Sequence, residues 1–298
     1  MSTQRTALIG CGVMGAAICV RLRALHFDVA VRDIDPSREA IAVSLGCTLA
    51  ATPDALAKGA DCLIVTVVDA AQAQAVLFGD DGTRGAAHSL RPGAVVLLCP
   101  TIAADDAASL CQRLTALGLM ALDCPMSGGP KRAEEGLLSL MIAGTEEAFH
   151  TALPWLQAMA TRPFHVGLRV GDGARTKLVN NLLAAVNLAA AAEALALAQR
   201  LGLDPHSTLA VIQQSSGQSW IGGDRMARAL SGDPRVMARV ALLAKDSGLA
   251  MQAAIPTGLA LPVSRAAAEV FQQALRAGLG EDDDAALLAL ALREPRQN

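Results

Sequence analysis

Residues 171–202 constrain this chain more than any other stretch. From Gly171-Asp172-Gly173 the sequence runs without proline through Ala174-Arg175-Thr176-Lys177-Leu178-Val179-Asn180-Asn181 and an alanine-rich segment to Leu201-Gly202. Asp172 suits an N-cap and Gly202 stands where a C-cap glycine is expected, so one helix is predicted. About 30 residues at 1.5 Å each make a rod of roughly 45 Å, longer than a small domain is wide. Such a helix is expected to join two domains, and 298 residues leave room for both. We place them at 1–167 and 168–298. Lys177 and Asn181 are four apart, so they share one helix face near its N-terminus. An amine and an amide there point to chemistry at a domain interface.

Before that helix, strand and helix alternate. Thr6-Ala7-Leu8-Ile9 is a short apolar strand, followed at once by Gly10-Cys11-Gly12-Val13-Met14-Gly15 and a helical run from Ala16 to Leu25. G-x-G-x-x-G in this setting lets the backbone approach a pyrophosphate, whose charge suits the free N–H groups at the helix start. Val29-Ala30-Val31 is a second strand, and Asp33 lies at its end, 18 residues past Gly15. An acid there accepts hydrogen bonds from a ribose diol and repels a 2′-phosphate. NAD is therefore expected over NADP, although Arg32 and Arg38 flank the position and either can meet a 2′-phosphate. Asp35, before Pro36, reads as a helix N-cap.

Cys62 to Val68 and Ala94 to Leu98 are apolar runs of the kind buried on both faces of a parallel sheet. Ligands lie off the carboxyl ends of such strands, which puts Val68 and Thr101 beside the cofactor. For Thr101 a helix-capping hydroxyl is an equal alternative. Met120 to Cys124 is a further strand, and Pro125-Met126-Ser127-Gly128-Gly129-Pro130 follows. Open N–H groups beside the Ser127 hydroxyl make either a nest for a carboxylate or a plain turn. Lys131 and Arg132, just after the glycine pair, either favour a polar or doubly charged acid or are solvated loop residues, and the second reading is preferred.

Past residue 170 the pattern is helical only, with segments at Pro205 to Gln214, Trp220 to Leu230, Arg235 to Gln252, Pro262 to Ala277 and Asp283 to Leu292. Lys245-Asp246 interrupts an apolar helix. Adjacent residues point to different faces, so Lys245 is expected to pair elsewhere, with cofactor or substrate or in an interdomain salt bridge. Glu281 to Asp284 reads as a solvated helix cap. The Leu182 to Ala198 segment is apolar around its circumference, which predicts burial, in part against a second subunit of a homodimer or homotetramer.

A net charge of −3 without a basic stripe, and 2% aromatic residues, argue against nucleic acid. Seven unevenly spaced cysteines, with no Cys-x-x-Cys pair, read as buried thiols of a reducing cytoplasm. With five dispersed histidines, no metal is expected. The N-terminus lacks a signal-peptide pattern, and Asn187 and Glu193 interrupt the most apolar region, so no membrane span is expected.

Four motifs together resemble the β-hydroxyacid dehydrogenase family, which includes 3-hydroxyisobutyrate, 6-phosphogluconate and L-threonate dehydrogenases and tartronate semialdehyde reductase. They are Gly10 to Gly15; Asp123-Cys124-Pro125-Met126-Ser127-Gly128-Gly129; Gly173 through Lys177 to Asn180-Asn181; and Lys245-Asp246. In family order, they span nearly the whole chain. The resemblance implies a Rossmann-type doubly wound sheet, then an all-α domain joined by a long helix. It implies hydride transfer between NAD(P) and a small β-hydroxy carboxylate such as 3-hydroxyisobutyrate, or threonate or tartronate semialdehyde as alternatives. Ser127, Gly128 and Gly129 would hold the substrate carboxylate, Lys177 would be the acid/base, Asn181 would orient substrate, and Lys245 would lie on the nicotinamide side. Thr101 matches the family's hydroxyl position, but Cys99 and Pro100 stand where serines are more usual. Lys177 agrees with its implied role. A lysine near the positive end of a helix dipole, beside Arg175 and in a cleft, is expected to have a lowered pKa. An imine reductase shares the architecture but resembles this chain less at the lysine position. A non-catalytic nucleotide-binding protein is the remaining rival, and it predicts cofactor binding without turnover.

Overall fold

The computed structural model describes residues 4–80 and 82–293. The chain divides into two compact units, Met1–Lys177 and Leu178–Asn298. In the first, apolar runs form strands and the segments between them form helices. The opening elements are β1 (Arg5–Ile9), α1 (Val13–Ala24), β2 (Asp28–Arg32), α2 (Pro36–Ser44), β3 (Thr48–Leu49) and α3 (Pro53–Ala57). Then come β4 (Cys62–Val65), α4 (Ala70–Phe78), β5 (Val95–Leu98), α5 (Ala104–Ala116) and β6 (Met120–Asp123). The unit continues with β7 (Met126–Ser127), α6 (Gly129–Glu135), β8 (Ser139–Ala143), α7 (Glu146–Met159) and β9 (Phe164–Gly167).

The strand order β3-β2-β1-β4-β5-β6 is all parallel, and β8 then adds antiparallel to β6. This is the doubly wound order expected of a dinucleotide fold, with its topological switch between β1 and β4. Buried apolar residues line both faces of the sheet. Leu8, Val31, Ile64 and Leu97 pack with α1 and α7, while Ala7, Ile9, Leu63 and Val96 pack with α4 and α5. Trp155 of α7 donates its indole N–H to the Thr6 hydroxyl at 2.8 Å, satisfying a polar atom inside the core. All seven cysteines are buried and free.

One helix, α8 (Asp172–Arg200), crosses the division between the units. It is long and apolar enough by length and composition to cross a membrane, the one such helix among the described residues. Its Ala185, Leu188, Ala192 and Leu195 pack in the core of the second unit with Leu209, Met226, Leu243 and Phe271. The opposite face is exposed in the single chain: Val179, Leu183 and Leu197 are 68%, 61% and 59% exposed, on the helix for which cover by a second subunit was expected.

The second unit continues with α9 (Pro205–Gln213), α10 (Trp220–Ser231), α11 (Val240–Ala254), α12 (Pro262–Arg276) and α13 (Leu287–Leu292). Helix α11 starts at Val240, not at Arg235. The Met237 and Ala238 N–H groups donate to Asp283 Oδ2, which takes the donors a first helical turn would use. The acid run is a solvated cap only in part: Glu281 and Asp282 are exposed and Asp283 accepts the Ala285 N–H as the cap of a short 3-10 turn, but the last acid is not solvated. Asp284 is buried, with Oδ1 2.7 Å from Arg225 Nε, while Asp283 Oδ1 lies 2.8 Å from Arg228 Nη1.

Candidate active site

The glycine loop after β1 has three different constraints. Gly10 holds φ +96°, and a Cβ there would lie 2.9 Å from the Thr66 carbonyl carbon. A Cβ at Gly15 would lie 2.0 Å from Gly10 O, so α1 can close on the turn only with glycine. Gly12 caps α1, and a Cβ there meets nothing within 4 Å. Open space at the start of a 12-residue helix, where N–H groups are unpaired, fits a dinucleotide pyrophosphate. Cys11 is buried behind the loop and Val13 exposed, with Met14 between these extremes. Val68 lies beyond the end of β4, at the switch point, with its N–H donating to Gln72 Oε1. Thr101 is half-buried between β5 and α5. Ala103, not Thr101, is the N-cap of α5.

Asp33 follows β2. Its Oδ2 accepts the Cys11 N–H at 2.5 Å, and its Oδ1 accepts the Asp35 N–H at 2.9 Å. This locks the acid against the glycine loop. Arg32, a candidate for a 2′-phosphate, is instead ion-paired to Glu39 at 2.6 Å, and Glu39 also accepts the Asp33 N–H. Asp35 caps α2 through the Ser37 N–H, which together with the Ser37 hydroxyl holds its carboxyl below the usual range.

Ser127 is the last residue of β7. Gly128 and Gly129 follow at φ +135° and +73°, and a Cβ at Gly129 would meet nothing within 4 Å. Two successive positive φ values restrict the turn to glycine and expose its backbone. Lys131 and Arg132 belong to α6 rather than a loop, and Arg132 Nε donates to Leu137 O.

The start of α8 is held from a distance. Asp172 was the expected cap, but it is the first helical residue and pairs with Arg169 and Arg175 at 3.0 and 2.7 Å. Asp123, at the end of β6, does the capping: its Oδ2 accepts the Gly171 and Ala174 N–H groups at 3.0 and 2.8 Å. Gly173 permits the approach, since a Cβ there would lie 2.5 Å from Met141 O and 2.8 Å from Asp123 O. Burial pushes the Asp123 carboxyl up to about 6, against the pull of its N–H donors. No local pattern marks Asp123 as a cap, because its donors are 48 and 51 residues away.

Lys177 and Asn181 lie one turn apart on α8, each 8% exposed. The Arg175 guanidinium, expected to act on Lys177, is ion-paired to Asp172 at 2.7 Å. Within the second unit, Asn181 Nδ2 donates to Asp246 Oδ2 at 2.6 Å, and Asn180 Nδ2 donates to Asn181 Oδ1 at 3.0 Å. Asp246 is also the partner that Lys245 was expected to lack: Nζ lies 2.8 Å from Asp246 Oδ1. Although Cβ directions of neighbours diverge on a helix, the long lysine stem lets its ammonium swing back. Sequence reasoning gave Asp246 no role, and the Lys245-Asp246 pairing was its only signal.

Comparisons with known proteins agree across the chain. Residues 5–167 match the family described as the NAD binding domain of 6-phosphogluconate dehydrogenase. Residues 171–291 match the one described as NAD-binding of NADP-dependent 3-hydroxyisobutyrate dehydrogenase. An L-threonate dehydrogenase of Cupriavidus necator is 36% identical over 288 residues, covering 97% of this chain and 96% of that protein. A 2-hydroxy-3-oxopropionate reductase of Escherichia coli is 30% identical, with 96% of each chain covered. The crystal structure of a 3-hydroxyisobutyrate dehydrogenase from Salmonella typhimurium superposes with a TM-score of 0.89 at 33% identity, covering 96% of this chain and 99% of that one.

Proposed function

The chain belongs to the β-hydroxyacid dehydrogenase family, and from that premise we propose that it oxidises a small β-hydroxy carboxylate, with Lys177 as the acid/base. It is an NAD(P)-dependent oxidoreductase, and the bound nicotinamide supplies the hydride acceptor. The observation that carries the residue assignment is the placement of Lys177 and Asn181, both nearly buried and one turn apart at the start of α8. Neutral Lys177 Nζ takes the hydroxyl proton as the carbon bearing it gives up hydride. In the reverse direction Lys177 returns that proton to the forming alkoxide. Asn181 orients the hydroxyl, and Ser127, Gly128 and Gly129 anchor the substrate carboxylate, an orientation effect. Gly10 to Gly15, Asp33, Val68, Thr101 and Lys245 bind the cofactor.

NAD is the preferred cofactor in this reading. Asp33 offers a carboxylate to a ribose diol, and the Glu39 ion pair occupies Arg32. The protein works as a cytoplasmic homodimer or homotetramer, without nucleic-acid or membrane partners. The exposed stripe of Val179, Leu183 and Leu197 supports self-association, because apolar rows of this kind are usually covered. Residues 1–167 serve as the dinucleotide domain and 168–298 as the substrate and dimerisation domain.

A panel of β-hydroxy acids headed by 3-hydroxyisobutyrate and L-threonate, followed by nicotinamide absorbance with NAD and then NADP, tests the reading. Turnover of at least one acid is expected, faster with NAD. Tight NAD binding with no turnover across the panel overturns it.

A further inference from the structure

We propose that Asp246 is a positioning residue that sets the polarity of the Asn181 amide while holding the Lys245 ammonium. The inference rests on the catalytic reading above for its consequence, but its geometry stands alone. Asp246 is 7% exposed, and its two oxygens are divided between two different side chains. Oδ2 accepts from Asn181 Nδ2 at 2.6 Å, and Oδ1 lies 2.8 Å from Lys245 Nζ. Oδ1 makes a charge contact rather than a well-directed hydrogen bond.

Asp246 faces the Lys245 ammonium at 2.8 Å, and a carboxylate only accepts hydrogen bonds. The side of the Asn181 amide facing it must therefore be the NH₂ group. The carbonyl oxygen is then turned the other way, where Asn180 Nδ2 donates to it at 3.0 Å. The amide cannot flip without setting its oxygen against a buried anion, a cost no exposed asparagine meets. What Asn181 offers a substrate is thereby limited to its second Nδ2 hydrogen and the second lone pair of Oδ1. One buried carboxylate thus couples two residues of α8 and α11 that are 64 positions apart, Asn181 and Lys245. Misplacing either group by about 1 Å is enough to slow an oriented reaction by around a hundredfold.

The test compares Asp246→Asn with the exchanged pair Asn181→Asp plus Asp246→Asn. In the exchange the same two atoms can still hydrogen bond, with donor and acceptor reversed. Asp246→Asn is expected to lower kcat by tens of fold, on the scale of such misplacement. The exchanged pair is expected to recover the melting temperature but not kcat. Recovery of kcat together with the melting temperature would show a purely structural contact and overturn the proposal, as would an unchanged kcat in Asp246→Asn. Side-chain amide NMR of Asn181 decides the matter even if the wild type oxidises no hydroxy acid. A shifted Nδ2 resonance in Asp246→Asn supports the orientation, and an unmoved one refutes it. Failure of the dehydrogenase reading itself shows separately, as absence of wild-type turnover.

Discussion

The Asp123 carboxylate lies 2.8 Å from the Ala174 amide nitrogen, 51 residues along the chain, and ties the end of β6 to the first turn of α8. Lys177 is three residues beyond that tie. A buried acid with several N–H donors is thereby the anchor for the proposed proton-handling residue. Removing it leaves those donors buried without an acceptor, which costs more than losing an exposed cap. Asp123→Ala should lower stability by about 2 kcal/mol, read by denaturant melts, and should lower kcat as well. A variant as stable as the wild type would refute the capping role.

The same residue makes stability depend on pH. Burial raises the folded-state pKa of Asp123 to about 6, above the about 3.9 of an unfolded chain. A raised folded pKa contributes stability that is fully present below about 4 and lost as pH rises through about 6. Asp123→Asn does not titrate, so the melting-temperature difference should move in favour of the wild type as pH falls from about 7 to about 4. The full swing is on the order of 3 kcal/mol. A difference that stays flat, or moves the other way, contradicts the assignment.

Glycines 12 and 15 should fail differently. Gly15→Ala puts a Cβ 2.0 Å from Gly10 O, so it should lower the melting temperature and cofactor affinity together. Gly12→Ala meets no protein atom within 4 Å, so folding should survive while NAD affinity falls by about tenfold or more, as a methyl group enters the pyrophosphate space. Calorimetric titration beside a melting curve separates the two. Equal NAD affinity in Gly12→Ala and wild type would move the cofactor elsewhere.

Lys177→Ala should cut kcat by about a thousandfold, within the range of a lost general acid/base, while the dissociation constant for NAD changes little. Substantial turnover in this variant removes Lys177 from the mechanism.

Cofactor choice should respond to a residue that touches neither ribose nor phosphate in the proposed reading. Glu39→Gln releases Arg32 from its 2.6 Å ion pair and leaves the fold's strands untouched. The ratio of kcat/KM for NADP over NAD is expected to rise by about tenfold, worth about 1.4 kcal/mol. An unchanged ratio assigns discrimination to Asp33 alone.

Much of this fold is legible in the sequence. The glycine loop, the buried strands, the helical second half and the long α8 each leave a local pattern of apolar period, capping residue or turn glycine. Two-residue strands such as β3 and β7 leave none, since two positions cannot show a period. The start of α11 leaves no local signal for a related reason. The segment from Arg235 has helical composition, but Asp283 takes its N–H groups from 46 residues away.

The sequence by itself determined the α/β-then-α order, the strand–loop–helix that fits a dinucleotide, and the shared face of Lys177 and Asn181. These depend on spacings of a few residues, which backbone geometry converts directly into position. Only the tertiary structure decided which acids serve those residues: Asp123 for the start of α8, Asp246 for Asn181 and Lys245, Glu39 for Arg32, Asp284 for Arg225. A buried carboxylate must find its donors somewhere, but the linear chain does not say where. For Asp123 and Asp284, and for Asp246 with Asn181, the partners come together only after strands and helices distant in sequence have packed.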